Sequence, residues 1–461
     1  MENGKSKRED VCPGKKLDRA AVERQLEQTK GPEYWRSLEE LAGSPEFQDM
    51  LHREFPKGAS EWLDSVSRRG FLQLMGASLA MAGMTGCTKL PLQEIVPYVR
   101  QPEQVVPGVP MYYATAFTLS GYANPLLVES HLGRPTKIEG NSLHPASLGG
   151  TDVFAQASIL EMYDPDRSQA ITHLGDVEPW AAFVKEIRGP LTVQKALSGA
   201  GIRILTQTIS SPTLKDQMQA FLAMYPQAKW HVYEPVNRDN ALEGEKLAFG
   251  EAVETQYQLE NAAVIFSLDA DFLSAGFPGN ARYIRDFAKK RNPDAEMSRL
   301  YVVESNPSST GAKADHRLPL RAVEIEGFAR ALAAFMLGKD TGVAGLKGDG
   351  AKLLLAMVKD LQAHKGASVI IAGDHQPPIV HALAHAMNVA LGNVGKTVVY
   401  TDPVDANPVN QTESLRDLVS DMRAGKVDLL VILGGNPVYD APVDLGFADS
   451  LKNSNVALRI Y

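Results

Sequence analysis

The sequence predicts an α/β protein: a small β-rich opening domain followed by doubly wound, mainly parallel sheets. Three observations carry that prediction. From about Gly201 onward, short β-branched runs alternate with helical stretches of roughly 10–15 residues, the rhythm of βαβ units in a sheet buried on both faces. Ahead of them, from Met111, the text alternates apolar and polar residues, as antiparallel strands do. The composition is that of a globular protein, 44% hydrophobic and 22% charged over 461 residues, room for roughly two to three domains.

Residues 1–66 form a polar N-terminal extension. Within it YWRSLEELAGSPEFQDMLHREF reads as one or two short amphipathic helices, with Trp35, Leu38 and Leu41 near helical spacing and Ser44 placed to cap a second helix from Pro45. Residues 67–87 follow, SRRGFLQLMGASLAMAGMTGC. Arg68 and Arg69 precede an uncharged run padded with Gly, Ala, Ser and Thr, shorter than the about 20 strongly apolar residues of a membrane span. A twin-arginine pair before such a core is the pattern of a Tat export signal, which carries folded proteins across the membrane. Cys87, after Met84-Thr85-Gly86, is a candidate for lipidation. The competing reading is a buried Ala/Gly-rich helix, although the arginines then stand at the end where the helix dipole disfavours them. Residues 88–112 carry a proline every few positions and read as a stiff, extended tether.

Residues 113–200 are expected to be β-rich. YYATAF and PLLVESHLG pair as antiparallel strands, Gly133-Arg134-Pro135 turns, and TKIEGN returns as a third strand. In 201–461 the strands IRILTQTI, KWHVYEP, AAVIFSL, RLYVVES, SVIIAG, TVVYTD and VDLLVIL are separated by helices. The closing VALRIY reads as a further buried strand, so the chain is expected to be cut short or completed by a partner.

In doubly wound sheets ligands sit beyond the carboxyl ends of strands, which singles out two loops. Gly434-Gly435-Asn436-Pro437 follows VDLLVIL, and Gly373-Asp374-His375-Gln376-Pro377 follows SVIIA; tight turns needing Gly and Pro explain both equally well. His381 and His385 stand four apart on a predicted helix, a spacing metal ligands use, yet without an ordered third ligand they read as helix surface or core. Asp164 and Asp166, and Asp269 and Asp271, are paired carboxylates that read first as turn and cap residues. No nucleotide-binding fingerprint or nucleophile elbow is present. Catalytic residues and metal ligands are therefore not assigned.

A net charge of −8 argues against a nucleic-acid partner. The cysteines, Cys12 and Cys87, are too few for an iron–sulfur cluster, which wants about four thiolates.

GRPTKIEGNSLHPASLGG and YDPDRS resemble the opening domain of molybdopterin oxidoreductases of the dimethyl-sulfoxide-reductase type, with Ser142 where that family has proline. The segment Leu148 to Ser158 lacks the cysteine the family supplies there. HALAHAMNVALGNVGK and VILGGNP resemble the helix and strand–loop bordering the pterin, making Gly434, Gly435, Asn436 and Pro437 vestigial pterin-loop candidates. The signal, IVPYVRQPE, VESHLGRPTKIEGN and ASILEMYDPDRS together resemble the B subunits of alternative complex III. That resemblance implies a molybdoenzyme-like, cofactor-free structural subunit of a quinol-oxidising complex on the periplasmic face of the bacterial cytoplasmic membrane. It implies iron–sulfur and haem groups in partner domains or subunits: an iron–sulfur half, cytochrome c subunits and a quinol-binding membrane subunit. The alternatives are a truncated catalytic subunit of an active molybdopterin oxidoreductase and a free periplasmic binding protein.

Overall fold

The computed structural model describes residues 104–106, 108–338 and 349–461. The twin arginines, Cys12, Cys87 and almost all of the proline-rich tether therefore lie outside the described residues. No helix among the described residues is long and apolar enough to cross a membrane.

The chain opens on β1 (Met111–Leu119), β2 (Tyr122–His131) and β3 (Arg134–Gly140), an antiparallel sheet in that order. Register is set by the hairpin at Ser120–Gly121, with Leu119 opposite Tyr122. The turn ends two residues earlier than expected, because Arg134 already pairs with His131. Helix α1 (Val153–Glu161) lays Ala155 against Leu126 and Ile138 to close a small core. Asp152 starts it by accepting from the Ala155 amide at 2.8 Å. A two-residue hairpin, β4 (Thr172–His173) and β5 (Asp176–Val177), precedes α2 (Trp180–Ala196). These two helices had no counterpart in the sequence reading: α1, VFAQASILE, gathers its apolar residues on no one face, and α2 contains Pro190.

Then the βαβ rhythm begins. The elements are β6 (Ile202–Thr206), α3 (Pro212–Met224), β7 (Lys229–Val232), α4 (Asp239–Phe249), β8 (Glu254–Tyr257) and β9 (Val264–Leu268). They continue with α5 (Asn280–Lys289), β10 (Arg299–Glu304), β11 (His316–Pro319), α6 (Ala322–Met336), α7 (Asp349–Ala363) and β12 (Ser368–Ala372). The last group is α8 (Pro378–Ala390), β13 (Val398–Thr401), α9 (Gln411–Arg423), β14 (Leu429–Leu433), α10 (Pro437–Asp440), α11 (Phe447–Asn453) and β15 (Leu458–Ile460).

Two four-stranded parallel sheets result, ordered β15-β14-β6-β7 and β11-β10-β9-β12. The second is built from a stretch inserted between the two halves of the first. Its strands β9 and β12 are buried along their whole length, which is why they read as continuous apolar runs. Phe266, Phe328, Leu332 and Met387 fill the core on one face of that sheet, and Phe272, Phe287 and Leu300 on the other.

Two expectations are corrected here. TVVYTD does not join a parallel sheet: β13 pairs antiparallel with β8, a strand too polar (ETQY) to stand out. VALRIY is not a buried strand. β15 stands at the end of the strand order and is half-exposed, because only one of its edges is paired.

Candidate functional site

Strand order places two switch points. In the first sheet β6 leads to β7 on one side while β14 lies on the other; in the second, β9 leads to β10 while β12 lies opposite. Ligand crevices in open parallel sheets form beyond the carboxyl ends of such pairs. The two loops singled out from sequence follow β14 and β12, so each sits at a switch point.

At the β6/β14 switch, Gly434 and Gly435 both hold left-handed backbone, with φ of 74° and 71°. The Gln207 side chain, from the loop after β6, lies across them: a Cβ on Gly434 would stand 2.9 Å from its Oε1, and one on Gly435 3.4 Å from its Cγ. Asn436 offers no side-chain cap to the four-residue α10, and Pro437 is buried. The glycines serve a turn crossed by the chain's own amide side chain.

At the β9/β12 switch the loops are locked together by ions. The Asp269 carboxylate accepts from His375 Nε2 at 2.7 Å, Gln376 Nε2 at 2.9 Å and the Ser305 amide at 3.1 Å. Asp269 adopts left-handed backbone (φ 56°), a conformation asparagine and aspartate tolerate better than most residues. Gly373 is required beside it, since a Cβ there would lie 2.1 Å from the Asp269 carbonyl oxygen. Burial pushes the Asp269 carboxyl up, but hydrogen bonds from His375 and Ser305 outweigh it and hold it below its ordinary value. The same bond raises His375. Asp271 accepts from the Thr310 amide (2.8 Å) and hydroxyl (2.7 Å) and clamps the following loop.

Asp374 connects this loop to a group that sequence reading missed. Arg238, at the start of α4, donates from Nε to Asp374 at 3.3 Å and faces Glu254 with Nη1 at 3.7 Å. Glu234, Glu245, Glu254 and Asp405 line the same crevice, with the Gly121–Tyr122 turn closing one end. Burial raises all four carboxyls, Glu245 to about 7, with Arg238 working in the opposite direction on Glu245 and Glu254. Desolvation works against the Arg238 charge, yet Asp374, Glu254 and Glu245 outweigh it and keep the guanidinium protonated. These residues come from five separate elements or loops and share no periodicity; the fold alone brings them together.

His381 and His385 are placed in the core, on the α8 face that packs against α4. His385 Nδ1 lies 3.0 Å from the Tyr400 hydroxyl, and His381 packs on Gly244 with its Nε2 lacking a hydrogen-bond partner among the described residues. Burial lowers both to about 4, so they are neutral. Both are buried, His385 in an aromatic cluster with Phe249 and Tyr400, which is the core alternative of the sequence reading. Asp164 accepts from the Asp166 amide at 2.8 Å in an exposed turn. A different histidine–carboxylate group, His231, Asp417 and Asp421, is drawn within 4.8 Å. Lys229 already occupies its centre, with Nζ 3.0 Å from Asp417 and 2.7 Å from Asp421, so this is an ion-pair cluster.

A pterin cofactor, as the resemblance would have it, brings phosphate oxygens and needs donors and room. The Arg238 crevice has about 90 Å³ of free volume, below the roughly 300–1,000 Å³ of small-molecule sites, and a wall of carboxylates against one guanidinium. Those residues do not fit an anionic cofactor.

What fold and crevice define is a mixed α/β protein with a small antiparallel sheet ahead of two parallel ones. The particular likeness is to a quinone reductase subunit: the chain is 22% identical over 431 aligned residues to the menaquinone reductase, molybdopterin-binding-like subunit of Nitratidesulfovibrio vulgaris. The match covers 84% of this chain and 62% of that protein, so the chain spans less than two thirds of that relative's length. Among solved structures, acetylene hydratase from Pelobacter acetylenicus aligns with a TM-score of 0.49 at 14% identity, over 73% of this chain and 58% of that one. The formyltransferase/hydrolase complex of Methylorubrum extorquens aligns at 0.36 and 16%, over 54% and 75%. No family profile matches the chain.

Proposed function

We propose that this chain is a molybdoenzyme-like structural subunit of a quinol-oxidising respiratory complex, of the kind formed by the B subunits of alternative complex III. The observation that carries the reading is the similarity, over 84% of the chain, to a molybdopterin-binding-like subunit of a quinone reductase. The same reading has the chain hold no pterin of its own, and the carboxylate-walled crevice, which disfavours an anionic cofactor, supports that part. Iron–sulfur clusters and haem then reside in partner domains or subunits, and this chain is the rigid body on which they dock. In the same reading Arg68 and Arg69 direct Tat export to the periplasmic face, and Cys87 is available for a lipid anchor.

The test is metal and pterin analysis of the complex purified from native membranes through this subunit. Iron and haem without molybdenum, tungsten or pterin is the expected result. Stoichiometric molybdenum or tungsten with pterin in this chain would make it the catalytic subunit of an active molybdopterin oxidoreductase instead. A protein released by salt, alone and without haem-bearing partners, would make it a free binding protein.

A further inference from the structure

The Arg238 crevice has more negative charge than the structure compensates. Glu234, Glu245 and Glu254 are 8%, 6% and 7% exposed. Hydrogen bonding to them is sparse: the Thr208 amide reaches Glu234 at 3.2 Å and the Val253 amide reaches Glu245 at 3.4 Å. Glu254, on the wall of the crevice, accepts no side-chain hydrogen bond from a described residue and among them has only Arg238 Nη1 at 3.7 Å. Asp405 accepts from the Asn407 amide at 2.9 Å, and Asp374 takes the Arg238 Nε.

The other groups facing the crevice do not restore the balance. Asp239 is satisfied by the Gln411 and Thr412 amides at the start of α9. Tyr122, the first residue of β2, is itself raised by burial and by Glu254. His381, from α8, is neutral. Lys215, from α3, acts on Asp405 alone. Arg238 thus answers Glu245, Glu254 and Asp374, Lys215 acts only on Asp405, and Glu234 has neither; leaving a carboxylate buried without a cationic partner is costly.

We propose that the Arg238 crevice is a proton-binding site: its buried glutamates hold one proton in common at neutral pH, and losing it loosens the seam between the two parallel sheets. The proton comes from water and returns to it, so no co-reactant is required. The seam is the place to feel the change, because Glu234 follows β7 of the first sheet and Asp374 follows β12 of the second, while Glu254 and Asp405 belong to the β8–β13 ribbon and the loop leaving it. The upward shift of Glu245 to about 7 places the event near neutrality. The inference goes beyond the respiratory reading and does not depend on it.

The experiment compares the full chain with its Glu245→Gln and Glu254→Gln variants by amide hydrogen exchange in α4, at about pH 6 and about pH 8. The wild type is expected to lose about tenfold more protection over that interval than Glu245→Gln, the effect of one proton bound with a pKa near 7. Taking the difference between proteins cancels the opposite contribution of the buried histidines. Infrared spectra supply a readout that survives a variant failing to fold: the wild type is expected to show the carbonyl band of a protonated, buried carboxyl at neutral pH, fading as pH rises. Parallel loss of protection in wild type and both variants, or no protonated-carboxyl band at neutral pH, would overturn the proposal.

Discussion

The two switch points are the same topology used twice, and they differ in what their loops carry. Beyond β6 and β14 the loops meet through Gln207 lying over Gly434 and Gly435, with Leu433, Val438 and Tyr439 exposed around them. Beyond β9 and β12 they meet through Asp269, His375 and Gln376, and Asp374 carries the network on to Arg238. The first is a neutral, shallow contact on the surface. The second is charged, partly desolvated and linked to a titratable crevice. Strand order marks where a crevice can form; the side chains after the strands decide whether it is polar, filled or closed.

The sharpest way to break this contrast is to remove Arg238. Arg238→Ala leaves Asp374 and Glu254 facing one another in a desolvated crevice, and is expected to lower stability by about 3 kcal/mol in urea unfolding. Gln207→Ala at the other switch point should change it by less than about 0.5 kcal/mol, because Gln207 is exposed. Equal effects would mean that the two loops are not electrostatically distinct.

Acid should act on the same side of the comparison. His381 and His385 are neutral in the fold with values near 4, against an ordinary 6.5. Their neutral forms contribute stability fully above about 6.5, and it is lost as pH falls from 6.5 towards 4, up to about 3 kcal/mol for each. Amide exchange in α8 should therefore accelerate over that window.

Glycine substitutions sharpen the comparison further. Gly373→Ala forces a Cβ to within 2.1 Å of the Asp269 carbonyl oxygen, which only a backbone shift relieves. An overpacking cost of about 1–3 kcal/mol is expected, with the His375–Asp269 contact displaced. Gly435→Ala meets only the flexible Gln207 side chain, so the cost is that of left-handed backbone, about 1 kcal/mol. Thermal melts of the two variants should rank in that order.

The smallest effect is expected from His375→Ala. The imidazole is 63% exposed, so its pair with Asp269 is worth about 0.5 kcal/mol. Because the bond raises His375, that stabilisation is present below about 6.5 and disappears as pH rises above it. A variant as stable as the wild type at low pH would show that Ser305 and Gln376 hold Asp269 unaided.

Much of the fold was legible because burial on both faces leaves a local signature. Strands such as VIFSL and SVIIA read as unbroken apolar runs, and the amphipathic helices between them show their faces. Both candidate loops could be found, since Gly and Pro punctuate the ends of strands. What escaped has no local signature. The ETQY strand is polar because it pairs in a two-stranded ribbon, and α1 offers no amphipathic period to read. For His381 and His385 the spacing left surface and core open; their packing against α4 makes them core residues.

The amino-acid sequence by itself determined the alternation of elements, the two loops beyond strand ends and the scarcity of thiolates, since propensity, periodicity and composition are local properties. Only the tertiary structure decided that Arg238 and its carboxylates share one crevice. Its members lie between Glu234 and Asp405 in the chain, and no periodicity spans that separation. Shared burial, which sets their charge and their chemistry, exists only once the inserted unit and the sheet that brackets it have packed together.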